Sequence, residues 1–114
     1  MKTVKLQLNE LEAKKTLIRE LGRRYGARRI RVFGSVVRGE ERPDSDVDFL
    51  VDFPRGYDLF RQRLPLTEAL SELLDHPVDV IPEHELSPYL RNQVLSEAID
   101  LLDYPPISAT LINQ

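Results

Sequence analysis

Apolar residues recur at helical spacing near the start of the chain. Leu8, Leu11, Ile18, Leu21 and Tyr25 fall on one face and Gly26 follows them, a pattern that predicts one amphipathic helix over residues 8–25. The period then changes. Residues 28–33 (Arg-Arg-Ile-Arg-Val-Phe) read as a strand that runs straight into Gly34-Ser35, a tight turn opening a short helix. In the next strand the alternation is strict: Val47, Phe49, Val51 and Phe53 share one face, while Asp46, Asp48, Leu50 and Asp52 share the other. Arg55-Gly56-Tyr57 makes a turn, Asp58 is placed to cap the following helix, and Pro65 is set to kink or restart it ahead of the run 66–74. His76-Pro77-Val78-Asp79-Val80-Ile81-Pro82 is a β-branched run bounded by prolines and predicts a third strand. Ser87-Pro88 supply an N-cap and a first-turn proline for a last helix carrying Leu90, Val94, Leu95, Ala98, Ile99 and Leu102, stopped by Pro105-Pro106. The predicted order is helix, strand, short helix, strand, helix, strand, helix, which is an α/β (α+β) arrangement.

Two acids one residue apart interrupt an otherwise apolar strand. Burying the apolar face of that strand stabilises by roughly 1.5–3 kcal/mol per side chain, and two carboxylates a few ångströms apart repel by about 4 kcal/mol at an effective dielectric near 20. The strand survives the repulsion, but the repulsion needs a reason. A divalent cation with a preference for oxygen supplies one; a solvated acidic face on an exposed strand is the plainer alternative. The preceding segment favours the cation. Glycine lets a backbone approach a phosphate closely, N–H groups at a helix start point at an anion, and Ser35 adds a hydroxyl donor at the same place. Asp79, pointing opposite to Val78 and Val80, offers a third carboxylate on a neighbouring strand.

Composition narrows the classes. The chain has 114 residues with 41% apolar content, enough for one domain that removes roughly two-thirds of its unfolded surface from water. There is no cysteine, which excludes disulfides, thiolate chemistry and cysteine metal sites. A net charge of −3 argues against a nucleic-acid binder. The basic cluster Arg23, Arg24, Arg28, Arg29 and Arg31 could face nucleotide or an acidic partner but reads first as a solvated face, and no long apolar run or signal-like start is present, so the expectation is a cytoplasmic protein without a membrane segment. His76 and His84 lack metal-ligand spacing, and Glu83-His84-Glu85 reads as an exposed loop. The domain is expected to cover residues 1–104, with a tail at 105–114 whose Ile107, Leu111 and Ile112 could pack on the domain or on a partner.

Gly34-Ser35, ten intervening residues, Asp46-Val47-Asp48 and a later strand bearing Asp79 resemble the nucleotidyltransferase superfamily that includes DNA polymerase β. Arg38-Gly39, Arg42-Pro43-Asp44-Ser45-Asp46 and Val78-Asp79-Val80-Ile81 followed by Leu86-Ser87-Pro88 are similar in particular to the minimal nucleotidyltransferases of bacteria and archaea, over about residues 15–102. The resemblance implies a small mixed sheet flanked by helices. It also implies that Asp46, Asp48 and Asp79 are catalytic and hold two magnesium ions, that Asp79 helps to deprotonate the attacking hydroxyl, that Gly34 and Ser35 hold the β and γ phosphates of ATP, and that Arg38 contacts phosphate or braces the turn. Larger relatives append helical domains that grip the acceptor, for which this chain has no room. Minimal members are often antitoxins of a two-protein system, so the resemblance implies transfer of AMP from ATP to a tyrosine of a HEPN-domain ribonuclease toxin, in a hetero-oligomer with that toxin. Two alternatives stay open: an antitoxin that neutralises its partner by binding alone, and a transferase acting on a small hydroxylated molecule.

Overall fold

The computed structural model describes residues 8–40 and 45–101 and builds them around a four-stranded mixed sheet. In chain order the elements are α1 (Leu8–Ala13), α2 (Lys15–Arg24), β1 (Ile30–Phe33), the single turn α3 (Ser35–Arg38), β2 (Val47–Val51), a π-helical turn at Leu59–Arg63, α4 (Leu64–Leu74), β3 (Val78–Pro82), a 3-10 turn at Glu83–Glu85, α5 (Pro88–Glu97) and β4 (Ile99–Asp100). The sheet order is β3-β2-β1-β4. β1 runs antiparallel to both β2 and β4, and β2 runs parallel to β3.

The period-2 pattern of β2 is realised in the packing. Val47, Phe49, Val51 and the following Phe53 are buried against Leu11, Ile18, Leu66 and Leu70, so α1, α2 and α4 cover one face of the sheet. Leu50 is buried on the opposite face with Phe33 and Val94, beneath α5. Within β2 only Asp48 is not fully buried. Its neighbours each gain roughly 1.5–3 kcal/mol from burial, which fixes the register and with it the direction of Asp48.

The expected first helix is two helices broken at Lys14. Lys14 leaves helical geometry, and its Nζ donates to the Leu73 carbonyl oxygen at the end of α4 (3.1 Å). Asp58 does cap the next helix, with its Oδ1 accepting the N–H groups of Phe60 (2.9 Å) and Arg61 (3.0 Å). Pro65 restarts it: a proline has no N–H to continue the preceding ladder, so the chain widens to a π-helical turn and then resumes as α4. Ser87 caps α5, its Oγ accepting from the Tyr89 N–H. The last helix is shorter than its apolar spacing predicts. It ends at Glu97, and Ile99 turns out to lie in β4, paired with Val32 of β1. Without β4, that side of β1 would be an open edge with unpaired backbone groups, and closing it outweighs one more helical turn. Pro105-Pro106, Leu102 and the tail lie outside the described residues. Among the described residues no helix is long and apolar enough to cross a membrane.

The basic cluster divides. Arg23 pairs with Glu20, Arg28 with Asp52 and Arg29 with Asp100 on the surface, as a solvated face would. Arg31 does not belong to that face: it is buried and bonded to Glu83 at 2.5 Å.

Leu50→Ala is expected to cost about 2–5 kcal/mol of unfolding free energy, because it opens a cavity between sheet and α5. Asp58→Ala, which removes a surface cap, is expected to cost about 1 kcal/mol. Urea denaturation of the two variants beside the wild type checks both.

Candidate active site

Three strands deliver the site as one row across the sheet. Phe33 of β1 is the backbone partner of Asp48 in β2, and Asp48 is the partner of Asp79 in β3. Strand alternation puts the two carboxylates on the same face, side by side. Asp79 is exposed on the edge strand, and Asp48 is half-buried. Asp46 precedes β2, whose first residue is Val47, and it too is exposed.

Gly34 comes immediately after Phe33 and therefore beside Asp48. It has φ +86°, a backbone conformation that side chains rarely adopt, and a Cβ there would run into Asp48 Oδ2. The glycine is thus required twice, once by the turn and once by the carboxylate. Its carbonyl oxygen accepts the N–H groups of Val37 (3.1 Å) and Arg38 (3.2 Å), and Gly39, at φ +72°, closes the turn. The Ser35 hydroxyl makes no hydrogen bond with any described residue. Arg38 is held from two sides: Nε donates to Glu40 at 3.0 Å, and Nη1 donates to both oxygens of Glu97 at 3.1 and 3.2 Å. Glu97 also accepts the Gly34 N–H at 2.8 Å.

The carboxylates burden one another. Burial pushes Asp48 up from an ordinary 3.8 to about 6, and the charges of Asp79, then Asp46, push the same way; Arg38 opposes them. Among the described residues no group of three acid, histidine or cysteine side chains is already arranged to hold an ion. Magnesium does not require such a cage, because it binds through one or two carboxylates together with substrate phosphates. The donor set here is all oxygen and carries uncompensated like charge, which fits that ion.

Glu97 is the residue that motif reading missed. One signal was available: an acid at the last position of a helix faces the negative end of the helix dipole and needs a reason to be there. Its reason is the Arg38 guanidinium and the Gly34 N–H.

A turn that leads from one strand to a short helix, beside paired aspartates on the next two strands, is the arrangement that the motif resemblance implies. The chain belongs to the nucleotidyltransferase domain family, whose model matches residues 14–101. It is 42% identical over 95 residues to the protein adenylyltransferase MntA of Thermococcus cleftensis, covering 82% of this chain and 95% of that one. A solved minimal nucleotidyltransferase superposes with a TM-score of 0.72 at 48% identity, covering 82% of this chain and 95% of the other. A toxin–antitoxin complex solved with AMP-PNP contains a chain that superposes at 0.65 with 28% identity, covering 76% of this chain and 71% of that one. The fold and the enzyme class expected from the sequence are therefore borne out.

The pH dependence of stability follows from Asp48. Its pKa is higher folded than unfolded, so between about pH 4 and pH 6 the folded state keeps a proton that the unfolded chain releases, and stability falls as pH rises through that window. Asp48→Asn should therefore raise stability near pH 7.5 in the presence of a chelator. The expected gain is about 1–2 kcal/mol after allowance for solvent screening of a half-exposed group, and it should vanish near pH 4. Thermal unfolding of both proteins across that range checks the sign.

Proposed function

We propose that this chain is a magnesium-dependent protein adenylyltransferase that transfers AMP from ATP to a tyrosine of a HEPN-domain toxin, and so acts as the toxin's antitoxin. The observation that carries the reading is the Asp48–Asp79 register beside the Gly34-Ser35 turn. Two comparisons support the chemistry and the partner: the MntA relative bears the name protein adenylyltransferase, and a neighbour at 25% identity and TM-score 0.61 is a complex of a tri-AMPylated Shewanella oneidensis HEPN toxin with its MNT antitoxin, covering 79% of this chain and 70% of that one.

In this reading Asp46, Asp48 and Asp79 would hold magnesium, which would supply positive charge to offset the negative charge that develops during transfer. Gly34 gives the triphosphate close access to the backbone, while the Ser35 hydroxyl and the Arg38 guanidinium provide donors to the β and γ phosphates. The tyrosyl oxygen forms a bond to the α-phosphorus, the bond from that phosphorus to the β-phosphate's bridging oxygen breaks, and pyrophosphate leaves. Asp79 accepts the tyrosyl proton. The acceptor side favours a macromolecule over a small molecule, because Asp79 sits exposed on the edge strand β3, where a partner's side chain can reach it.

Co-expressed with the toxin and given magnesium and ATP, wild type is expected to add AMP-sized mass steps to the toxin, and the Asp46→Asn, Asp48→Asn double variant none. Intact-mass analysis reads this directly. A stable complex with no mass step under any nucleotide would sink the transferase reading and leave neutralisation by binding. Asp79→Asn alone is expected to slow transfer by about a hundredfold or more, the usual worth of a positioned base.

A further inference from the structure

We infer that Glu97 is a positioning residue for nucleotide binding: it locks the Gly34 peptide and the Arg38 guanidinium together, leaving the outer edge of Arg38 for the triphosphate. The inference rests on the triphosphate reading above and adds a residue that the family motif does not contain.

Three observations converge on it. Glu97 reaches back from the end of α5 to the Gly34 turn and α3, distant in sequence, and its carboxylate accepts three hydrogen bonds of 2.8–3.2 Å from Gly34 N–H and Arg38 Nη1. Its side chain is only 17% exposed, against 42% for Arg38, so the carboxylate is the fixed partner and the guanidinium the one that meets solvent. The bonds also divide the guanidinium by atom. Nε goes to Glu40 and Nη1 to Glu97, which leaves Nη2 without a partner among the described residues. An arginine held by two of its nitrogens has little freedom left to lose when its remaining N–H groups meet a phosphate, and a charge-assisted bond of that kind is strong.

The same geometry assigns Gly34 a role different from that of a phosphate donor. Its N–H is already committed to Glu97, so what it contributes is the lack of a side chain, which lets the backbone come close to the phosphates and brings Ser35 and α3 beside Asp48. Placing a carboxylate near Asp48 and at the negative end of α5 is electrostatically unfavourable. The pairing with Arg38 offsets this.

Truncation should act on the phosphates and not on the nucleoside. For the purified full chain, Glu97→Ala is expected to weaken magnesium-dependent binding of AMP-PNP by about tenfold while leaving AMP binding unchanged. Glu97→Gln, which keeps one acceptor oxygen and the same shape, should fall between them. It also serves if the alanine variant fails to fold. On an Arg38→Ala background the Glu97 substitutions should add little, since both act through one unit.

Wild-type affinity for AMP-PNP in both Glu97 variants would overturn the inference while leaving the nucleotidyltransferase reading intact. Tighter binding would overturn it too, by making Glu97 a competitor for the phosphate site. Equal losses for AMP and AMP-PNP would show a general structural role and overturn it likewise. Failure of wild type itself to bind AMP-PNP would bring down both readings together.

Discussion

Strand β2 is buried on both faces, and the rest of the domain is arranged to keep it so. Val47, Phe49 and Val51 pack beneath α1, α2 and α4, and Leu50 packs beneath α5. A strand held this tightly has one register, since a slip by one residue would exchange its two faces and turn Asp48 into the core beneath α1, α2 and α4. Asp48 is therefore aimed by its neighbours and not by contacts of its own. The parallel partner β3 inherits that aim and sets Asp79 alongside, and the antiparallel partner β1 ends where the Gly34 turn can begin.

The cost of this arrangement is electrostatic. A half-buried carboxylate beside two others is raised to about 6, and Glu97 adds a fourth negative charge to the neighbourhood. Enzymes of phosphoryl and nucleotidyl transfer need a place where positive charge is wanted before the substrate arrives, and like-charged carboxylates on rigid strands provide it. Arg38 works in the opposite sense. It supplies positive charge beside the Gly34-Ser35 turn, pinned by Glu40 and Glu97. The site is thus split into a carboxylate half and a guanidinium and hydroxyl half, to which the proposed function gives the cations and the phosphates respectively.

Much of this is legible in the sequence, for a physical reason. The alternation in β2 and the proline-bounded run around Asp79 are local signals, and so are the caps at Asp58 and Ser87. Local signals survive without tertiary information. What is not legible depends on distant partners. Leu95, Ile99 and Leu102 keep helical spacing, so the pattern alone extends α5, and only the open edge of β1 makes Ile99 a strand residue. The break at Lys14 goes with a hydrogen bond to Leu73, 59 residues away. Arg31 reads as one more surface arginine until Glu83 is seen beside it. Glu97 carries no motif, because its partners lie 63 and 59 residues away in the chain. Among the site residues, Gly34, Ser35, Arg38, Asp46, Asp48 and Asp79 come from the motif, and Glu97, which bonds Gly34 and Arg38, does not.

Nucleotidyl transfer, the chemistry proposed for the Asp48–Asp79 face, is distinguished from other phosphate chemistry by the bond it breaks. The direct test incubates the chain and the proposed HEPN-toxin acceptor with magnesium and ATP labelled either at the α-phosphorus or at the γ-phosphorus, then counts label on the acceptor. Label from the α position alone, released with the acceptor's modified tyrosine, is the predicted result. Label from the γ position would mean phosphoryl transfer, and label from neither would mean no transfer; each contradicts the account.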